Sequence, residues 1–132
     1  MTEQDLLMGQ LCAWRENRGG GHTGMQSVLN VLQNRAKRDG TSIAFEALKK
    51  WQFSSMTAPG DPQLDRGPNT LEAVDIATWQ LAYELAMEAI EGNLEDITDG
   101  AVNYYAESMS PPPSWAASMI YTVTIASQKF FK

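Results

Sequence analysis

Nine residues near the start of the chain decide how it folds: Ala13-Trp14-Arg15-Glu16-Asn17-Arg18-Gly19-Gly20-Gly21. A helical pattern runs into this stretch and must end there, because a helix does not continue through three successive glycines. Such glycines also let the backbone reverse and come close to a ligand. Glu16 stands at the helix end beside an indole and two guanidinium groups, and this mixture of apolar shielding and polar contact can tune a carboxyl group for proton transfer. The stretch therefore predicts an acid at the lip of a cleft.

Helical periodicity marks the sequence on both sides of the glycines. The first predicted helix covers about residues 3–16, and Thr2 with Asp5 resembles a capping arrangement at its start. A second amphipathic pattern follows, with Thr23 as a natural cap and with Gly40 as the stop signal. The two predicted helices are therefore joined by the glycine turn.

A shorter helix is predicted over residues 43–50, and a polar loop with several prolines and glycines continues from there to Pro68. Asn69 and Glu72 have the spacing of a capping box for the next helix. That helix carries one broad apolar face and ends at Gly92.

The final third of the chain changes its period. Residues 119–126 alternate in the manner of a β-strand, and a partner strand is predicted over residues 101–105. Three prolines between them stiffen an extended segment and present Trp115. With 132 residues, 43% of them hydrophobic, the chain is long enough for one core. We therefore predict a mainly α (α+β) fold, a single domain over residues 1–132 with a small C-terminal hairpin-like element.

Composition excludes several classes of function. The formal net charge is -6, and the acidic excess lies in the C-terminal part, so a basic stripe for nucleic acid is not expected. No stretch combines a basic face with a large apolar one, and none is apolar for long enough to cross a bilayer, so membrane insertion is not expected. One cysteine, Cys12, allows no intrachain disulfide. It is expected to be a small buried hydrophobe.

The sequence narrows the chemistry further by elimination. Its one histidine, His22, argues against a histidine-rich zinc site and suits a role in the turn. No phosphate loop or dinucleotide fingerprint is present. No metal and no cofactor are therefore expected. General acid and base work by a carboxylate remains, and sugar chemistry is its commonest use in a small domain.

An ordered set of motifs resembles the bacterial and phage cell wall hydrolase family, typified by the SleB-like spore cortex-lytic enzymes. The set covers most of the chain in the family's order: Trp14-Arg15-Glu16-Asn17-Arg18-Gly19, Gly24-Met25-Gln26-Ser27-Val28, Val31-Leu32-Gln33-Asn34-Arg35, Gln52-Phe53-Ser54, Gly100-Ala101-Val102-Asn103-Tyr104-Tyr105, Ser114-Trp115, and Ile125 to Phe131. The resemblance implies a lysozyme-like fold that cleaves the β-1,4 bond between N-acetylmuramic acid and N-acetylglucosamine in peptidoglycan. It also implies that Glu16 is the catalytic acid.

Two reactions follow from an acid of this kind. In a hydrolase, a second carboxylate acts as nucleophile or activates water, whereas a lytic transglycosylase reuses its one glutamate as the base for attack by the sugar's own hydroxyl. Asp61, Asp65 and Asp75 are the candidates for a second acid. Loop positions for the first two and a helix start for Asp75 give each a simpler structural role. A lytic transglycosylase with one glutamate is therefore the preferred prediction, and a muramidase is the alternative.

Four residues are predicted to support Glu16 or to bind substrate. Gln52 and Ser54 have the position to hydrogen-bond an acetamido sugar or the carboxylate, or else serve a turn. Tyr104 is expected either to stabilise the developing cation or to hold Glu16 by a hydrogen bond, with cross-strand packing as the alternative. Trp115 is expected to stack on a sugar face or to cover the core.

The substrate sets the expected partners and location. The partners are peptidoglycan glycan strands, and the protein is expected to be a monomer. The start of the chain does not have the basic and apolar segments of a secretory signal. A phage endolysin, made in the cytoplasm and released through holin lesions, therefore fits best. A noncatalytic peptidoglycan-binding module and a phage structural protein remain as alternatives.

Overall fold

The computed structural model describes residues 2–50 and 52–132, and for Val74 the backbone alone. Its helices are α1 (Glu3–Asn17), α2 (Gly21–Asp39), α3 (Ile43–Leu48), α4 (Ser54–Thr57) and α5 (Ala73–Ile90). Its strands are β1 (Asn103–Ala106), β2 (Tyr121–Ile125) and β3 (Gln128–Phe131). Within these ranges no helix has both the length and the apolar character to span a bilayer. The predicted fold class, mainly helical with a small C-terminal sheet, is confirmed.

The start of α1 has the predicted cap. The Thr2 backbone N–H donates to Asp5 Oδ2 at 3.1 Å, and the Asp5 N–H donates to Thr2 Oγ1 at 3.3 Å. Both groups satisfy donors that the first helical turn leaves free. The helix then continues through Asn17, one residue beyond the predicted end, so Glu16 lies in its last turn.

The glycine turn leads into α2 earlier than predicted. A short 3-10 turn, Arg18–Gly20, passes directly into the helix, which begins at Gly21. Thr23 therefore lies inside the first turn, and its predicted role as the cap is wrong. At the other end Gly40 adopts a left-handed φ of 67°, which suits a residue without Cβ, and this predicted stop is confirmed.

The middle of the chain is more regular than a polar loop. α3 ends at Leu48, before the predicted end at residue 50, and α4 follows it. The predicted capping box is wrong by one turn. Asn69 lies in a separate 3-10 turn, Pro68–Thr70, and α5 begins only after Glu72, whose backbone N–H donates to Asp75 Oδ2 at 3.4 Å. The backbone of Leu71 and Glu72 is extended, which separates the 3-10 turn of Asn69 from the helix.

The core lies where α1, α2 and α5 pack against one another. Fully buried side chains from several sides of α2 fill it: Met25, Val28, Leu29, Val31 and Leu32. Trp14 of α1 is also fully buried, and its indole Nε1 donates to Thr78 Oγ1 of α5 at 3.1 Å. A buried indole needs such a partner, and the bond fixes the end of α1 that carries Glu16.

The sheet is antiparallel with the strand order β1-β3-β2. The predicted direct pairing of residues 101–105 with 119–126 is therefore wrong, because β3 lies between these strands. A tight turn at Ala126 and Ser127, with φ values of 47° and 64°, joins β2 to β3. Turns of this kind usually contain asparagine or glycine, and the residue pair Ala-Ser is not a sequence signal for one. The sequence pattern consequently missed β3.

Candidate active site

Glu16 meets Tyr104 at the junction between α1 and the sheet. The Glu16 side chain is partly buried, and the Tyr104 hydroxyl donates a hydrogen bond to its Oε1. The Tyr104 ring packs against Phe130 on the neighbouring strand, with 5.2 Å between ring centroids, and against Phe53 at 6.5 Å. Two buried rings therefore fix the direction of the hydroxyl.

Tyr104 keeps its proton at neutral pH. Burial raises the pKa of its phenol well above the usual value of 10.0, and the adjacent Glu16 carboxylate raises it further. A phenol in this state donates a hydrogen bond and carries no charge. Cys12, one turn before Glu16 on α1, is also fully buried, and burial raises the pKa of its thiol. The thiol is therefore neutral as well.

Amide side chains along α2 hold the segment that leads into β1. Gln26 Nε2 and Asn30 Nδ2 both donate to the Glu95 carbonyl, at 2.9 and 3.0 Å. Asn34 Nδ2, one turn further along, donates to the Ala101 carbonyl at 2.9 Å. Positions spaced by four residues share one face of a helix, so this row of amides fixes the backbone just before the strand of Tyr104.

The glycine turn packs against the β2–β3 hairpin. A Cβ on Gly20 would lie 2.8 Å from the Ala126 Cβ and 2.6 Å from Asn17 Oδ1, which is closer than such atoms pack. Gly21 has a φ of 64°, and a Cβ on Gly19 would meet nothing within 4 Å. We predicted that the backbone comes close to a ligand at these glycines. At Gly20 the group that comes close is the β2–β3 hairpin turn.

Arg15 attaches the loop after α4 to the end of α1. Its guanidinium donates to three backbone carbonyls: Arg66 at 2.8 Å, Ser55 at 3.1 Å and Leu64 at 3.1 Å. Burial lowers the pKa of Arg15 from its usual value. A planar fork of donors suits several carbonyls at once. Nothing in the sequence pattern indicated this role.

Arg18 supports the same loop from the other side. Its Nη1 donates to Gln63 Oε1 at 2.7 Å, and its guanidinium carbon lies 4.3 Å from the centre of the Trp14 ring. This contact leaves the indole shielded by a cation on one face. The indole and guanidinium groups that neighbour Glu16 in sequence therefore also lie close together in space, at the helix end.

Two of the three candidate second acids have other partners, and the third is exposed. Asp61 Oδ1 accepts from the Gln63 backbone N–H at 2.8 Å and caps a short 3-10 turn. Asp75 is buried and lies 3.4 Å from Arg66 Nη2 and 4.0 Å from Arg18 Nε. Asp65 is exposed. Within the ranges that the structure describes, none of the three hydrogen-bonds to Glu16.

In the described part of the chain, the other predicted site residues make no hydrogen bond to Glu16 or Tyr104. Gln52 and Ser54 are exposed on either side of the buried Phe53, and in the described part of the chain neither side chain makes a hydrogen bond. Trp115 packs edge-on against Tyr105, with 5.8 Å between ring centroids. Since neighbouring strand residues point to opposite faces, Trp115 lies across the sheet from Tyr104.

A cavity of about 520 Å³ lies at the other end of α1, where Asp5 and Ile43 line it. Asp5 is 11 residues before Glu16, a distance of about 16 Å along a helix. Its Oδ1 already accepts from the Ala44 backbone N–H at 2.9 Å. Among the described residues no group of three His, Cys, Asp or Glu side chains is placed to hold a metal ion. The candidate site is therefore assigned from the carboxyl group of Glu16 and not from the size of this cavity.

Comparison with known proteins gives a family and a fold. The model of the Cell Wall Hydrolase family matches residues 19–131. The solved catalytic domain of the germination-specific lytic transglycosylase SleB from Bacillus anthracis is similar in fold, with a TM-score of 0.73 at 20% identity. The similarity covers 100% of this chain and 97% of that one. No curated protein matches this chain. Because the family model spans most of the sequence, this chain belongs to the cell wall hydrolase family.

Proposed function

We propose that this cell wall hydrolase is a peptidoglycan lytic transglycosylase with Glu16 as its one catalytic carboxylate. The substrate bond is the β-1,4 link between N-acetylmuramic acid and N-acetylglucosamine. The observation that carries the proposal is the contact of a partly buried helix-end glutamate with a neutral phenol, Tyr104. The family model begins at residue 19, three residues after Glu16, so the assignment of the acid depends on this geometry.

The reaction needs two proton transfers, one from Glu16 and one back to it. Protonated Glu16 gives its proton to the glycosidic oxygen while the bond from that oxygen to the muramic acid C1 breaks, and positive charge grows on the sugar. The resulting carboxylate then takes the proton of the sugar's C6 hydroxyl, whose oxygen bonds to C1. The products are a free 4-hydroxyl end and a 1,6-anhydro end. Glu16 is protonated again, and no water is consumed.

Tyr104 orients the acid in both of its states. A hydrogen bond from the phenol to Oε1 leaves Oε2 as the oxygen that carries the proton. After transfer, the same bond stabilises the carboxylate. The contacts of Asp61 and Asp75 elsewhere support the mechanism with one glutamate over the muramidase alternative.

The test is product analysis with matched variants. Purified peptidoglycan is incubated with the parent protein, with Glu16→Gln, and with Glu3→Gln at the exposed start of the same helix. We expect mass spectrometry to find anhydro ends with the parent and with Glu3→Gln, and a rate at least about 10²-fold lower with Glu16→Gln. Thermal unfolding should stay near the parent's in both variants.

Three results would count against the proposal. Reducing ends heavier by one water would replace the transglycosylase with a muramidase. Activity of Glu16→Gln above a small fraction of the parent's would remove Glu16 as the acid. A protein that binds glycan strands but gives no product would be a noncatalytic module.

We further propose that the protein acts as a phage endolysin. The support is the small size of the chain and the resemblance of its motifs to cell wall hydrolases of bacteria and phages. Expression in a bacterial cytoplasm with and without a holin tests this. Lysis only with the holin is the expected result, and lysis without it would contradict the proposal.

A further inference from the structure

Arg35, at the C-terminal part of α2, lies buried behind the Glu16–Tyr104 contact. Only 5% of its surface is exposed. Its Nε donates to the Val102 carbonyl at 2.5 Å, and its Nη2 donates to Asn103 Oδ1 at 2.7 Å. These are the two residues directly before Tyr104. The guanidinium fork therefore holds the start of β1.

A second contact reaches Tyr104 from the side. The guanidinium carbon of Arg35 lies 5.0 Å from the centre of the Phe53 ring. Phe53 is itself buried and its ring packs against that of Tyr104. Arg35 therefore contacts both supports of the tyrosine, the backbone before it and the ring beside it.

Packing alone is a poor explanation for this arginine. Burial lowers its pKa from the usual value, and its Nη1 has no hydrogen-bond partner in the described part of the chain. No carboxylate among residues 2–50 and 52–132 forms an ion pair with it. An apolar side chain of similar volume would fill the space without the cost of desolvating a charge. What such a side chain does not supply is the pair of donors that holds β1.

We propose that Arg35 is a positioning residue for catalysis, whose guanidinium sets β1 so that the Tyr104 hydroxyl meets Glu16. The proposal rests on the proposed function, since it acts through the group that orients the acid. Misplacement of a catalytic group by about 1 Å costs up to 10²-fold in rate. The effect of Arg35 should therefore appear in kcat and depend on the Tyr104 hydroxyl.

The experiment is a double-mutant cycle on soluble, uncrosslinked glycan strands. Arg35→Lys keeps the charge and loses the fork, and it is measured alone and combined with Tyr104→Phe. We expect Arg35→Lys to lower kcat by about 10- to 100-fold with KM changed less than about threefold. In the Tyr104→Phe background the further loss should be less than about threefold, because the hydroxyl that Arg35 positions is gone.

Two further variants separate positioning from stability. Gln33→Ala removes a half-buried donor on the same helix that bonds the Ala89 carbonyl of α5 and not β1, so it should lower the thermal midpoint and leave kcat near the parent's. Asn103→Ala removes one acceptor of the fork and should give a smaller loss of kcat in the same direction as Arg35→Lys. Circular dichroism confirms that each variant is folded before its rates are compared.

An equal loss from Arg35→Lys in both backgrounds would overturn the proposal, as would a loss no larger than that of Gln33→Ala at a similar thermal midpoint. Failure of the proposed function is a separate result. It appears as retained activity of Glu16→Gln, whereas an inactive Glu16→Gln together with a fully active Arg35→Lys refutes the positioning role alone.

Discussion

Gly20 is the residue of the glycine turn at which an added methyl group should matter most. Its Cβ in a Gly20→Ala variant would lie 2.6 Å from Asn17 Oδ1 and 2.8 Å from the Ala126 Cβ. Carbon atoms in ordinary contact lie about 3.5–4.0 Å apart. The methyl group therefore overlaps both neighbours, on the side of the turn that faces the sheet.

Neither neighbour can move cheaply. The Asn17 amide is also enclosed by Gly24, where an added Cβ would lie 2.9 Å from Asn17 Nδ2. Ala126 belongs to a hairpin turn with a φ of 47°. Overpacking of this kind costs about 1–3 kcal/mol. The backbone of Gly20 has a φ of -84°, which any residue adopts, so the cost is steric and not conformational.

The flanking glycines provide matched controls. Gly19→Ala places its methyl group in open space and should be neutral or up to about 1 kcal/mol stabilising, because alanine restricts the unfolded chain. Gly21 has a φ of 64°, so Gly21→Ala should cost about 1–2 kcal/mol through backbone strain alone. The same substitution at three successive positions thus separates open space, steric overlap and strain.

Urea unfolding followed by tryptophan fluorescence gives the free energy of each variant. For Gly20→Ala we expect a loss of about 1–3 kcal/mol at an unchanged m value, with a fall in the thermal midpoint of roughly 4–12 °C. Activity should fall as well, because the displaced Asn17 follows Glu16 directly. Equal stabilities of Gly19→Ala and Gly20→Ala, within about 0.5 kcal/mol, would refute the packing of the turn against the hairpin.

Two more substitutions test buried and aromatic groups. Glu46 is fully buried, and burial, followed by a hydrogen bond with Asp39, raises the pKa of its carboxyl above the usual 4.5. Folding then favours the protonated form, so stability falls as the pH rises above about 4.5. Glu46→Gln should match the parent near pH 4 and exceed it at pH 7–8 in urea unfolding, and a gain independent of pH would contradict this. Trp115→Ala should cost about 2–3 kcal/mol, less than the roughly 3–5 kcal/mol for a fully buried tryptophan, and leave KM within about twofold. A raised KM at unchanged stability would instead support sugar stacking.

Local signals predicted the helices well and the sheet poorly. The cap at Thr2 and the stop at Gly40 are chemical features of single residues, and both helix ends lie where these residues indicate. β3 depends on a turn at Ala126 and Ser127 whose φ values neither residue type favours. Strand pairing is decided by such turns and by long-range packing. The alternation of residue types along one strand carries no information about either.

The parts of the candidate site were visible in the sequence, but their arrangement was not. The sequence predicted both a helix-end acid and a strand tyrosine as site residues. Glu16 and Tyr104 are 88 residues apart, however, and only the fold brings them together. Alternation does separate Tyr104 from Tyr105 on opposite faces of β1. Applied to Trp115, which packs on Tyr105, that rule favours a structural contact over one beside Glu16.

A phenol as the partner of Glu16 suits the proposed role of an acid that must give up a proton and take one back. A carboxyl group bonded to an arginine is favoured in its charged form, which hinders its work as an acid. A tyrosine hydroxyl can donate both to the carbonyl oxygen of the acid and to the carboxylate, and it brings no charge of its own. The neighbouring guanidinium groups have other partners. Arg15 and Arg35 donate to backbone carbonyls, and Arg66 forms an ion pair with Asp75. The cations thus hold the backbone around Glu16, and the Tyr104 hydroxyl that bonds to Glu16 carries no charge.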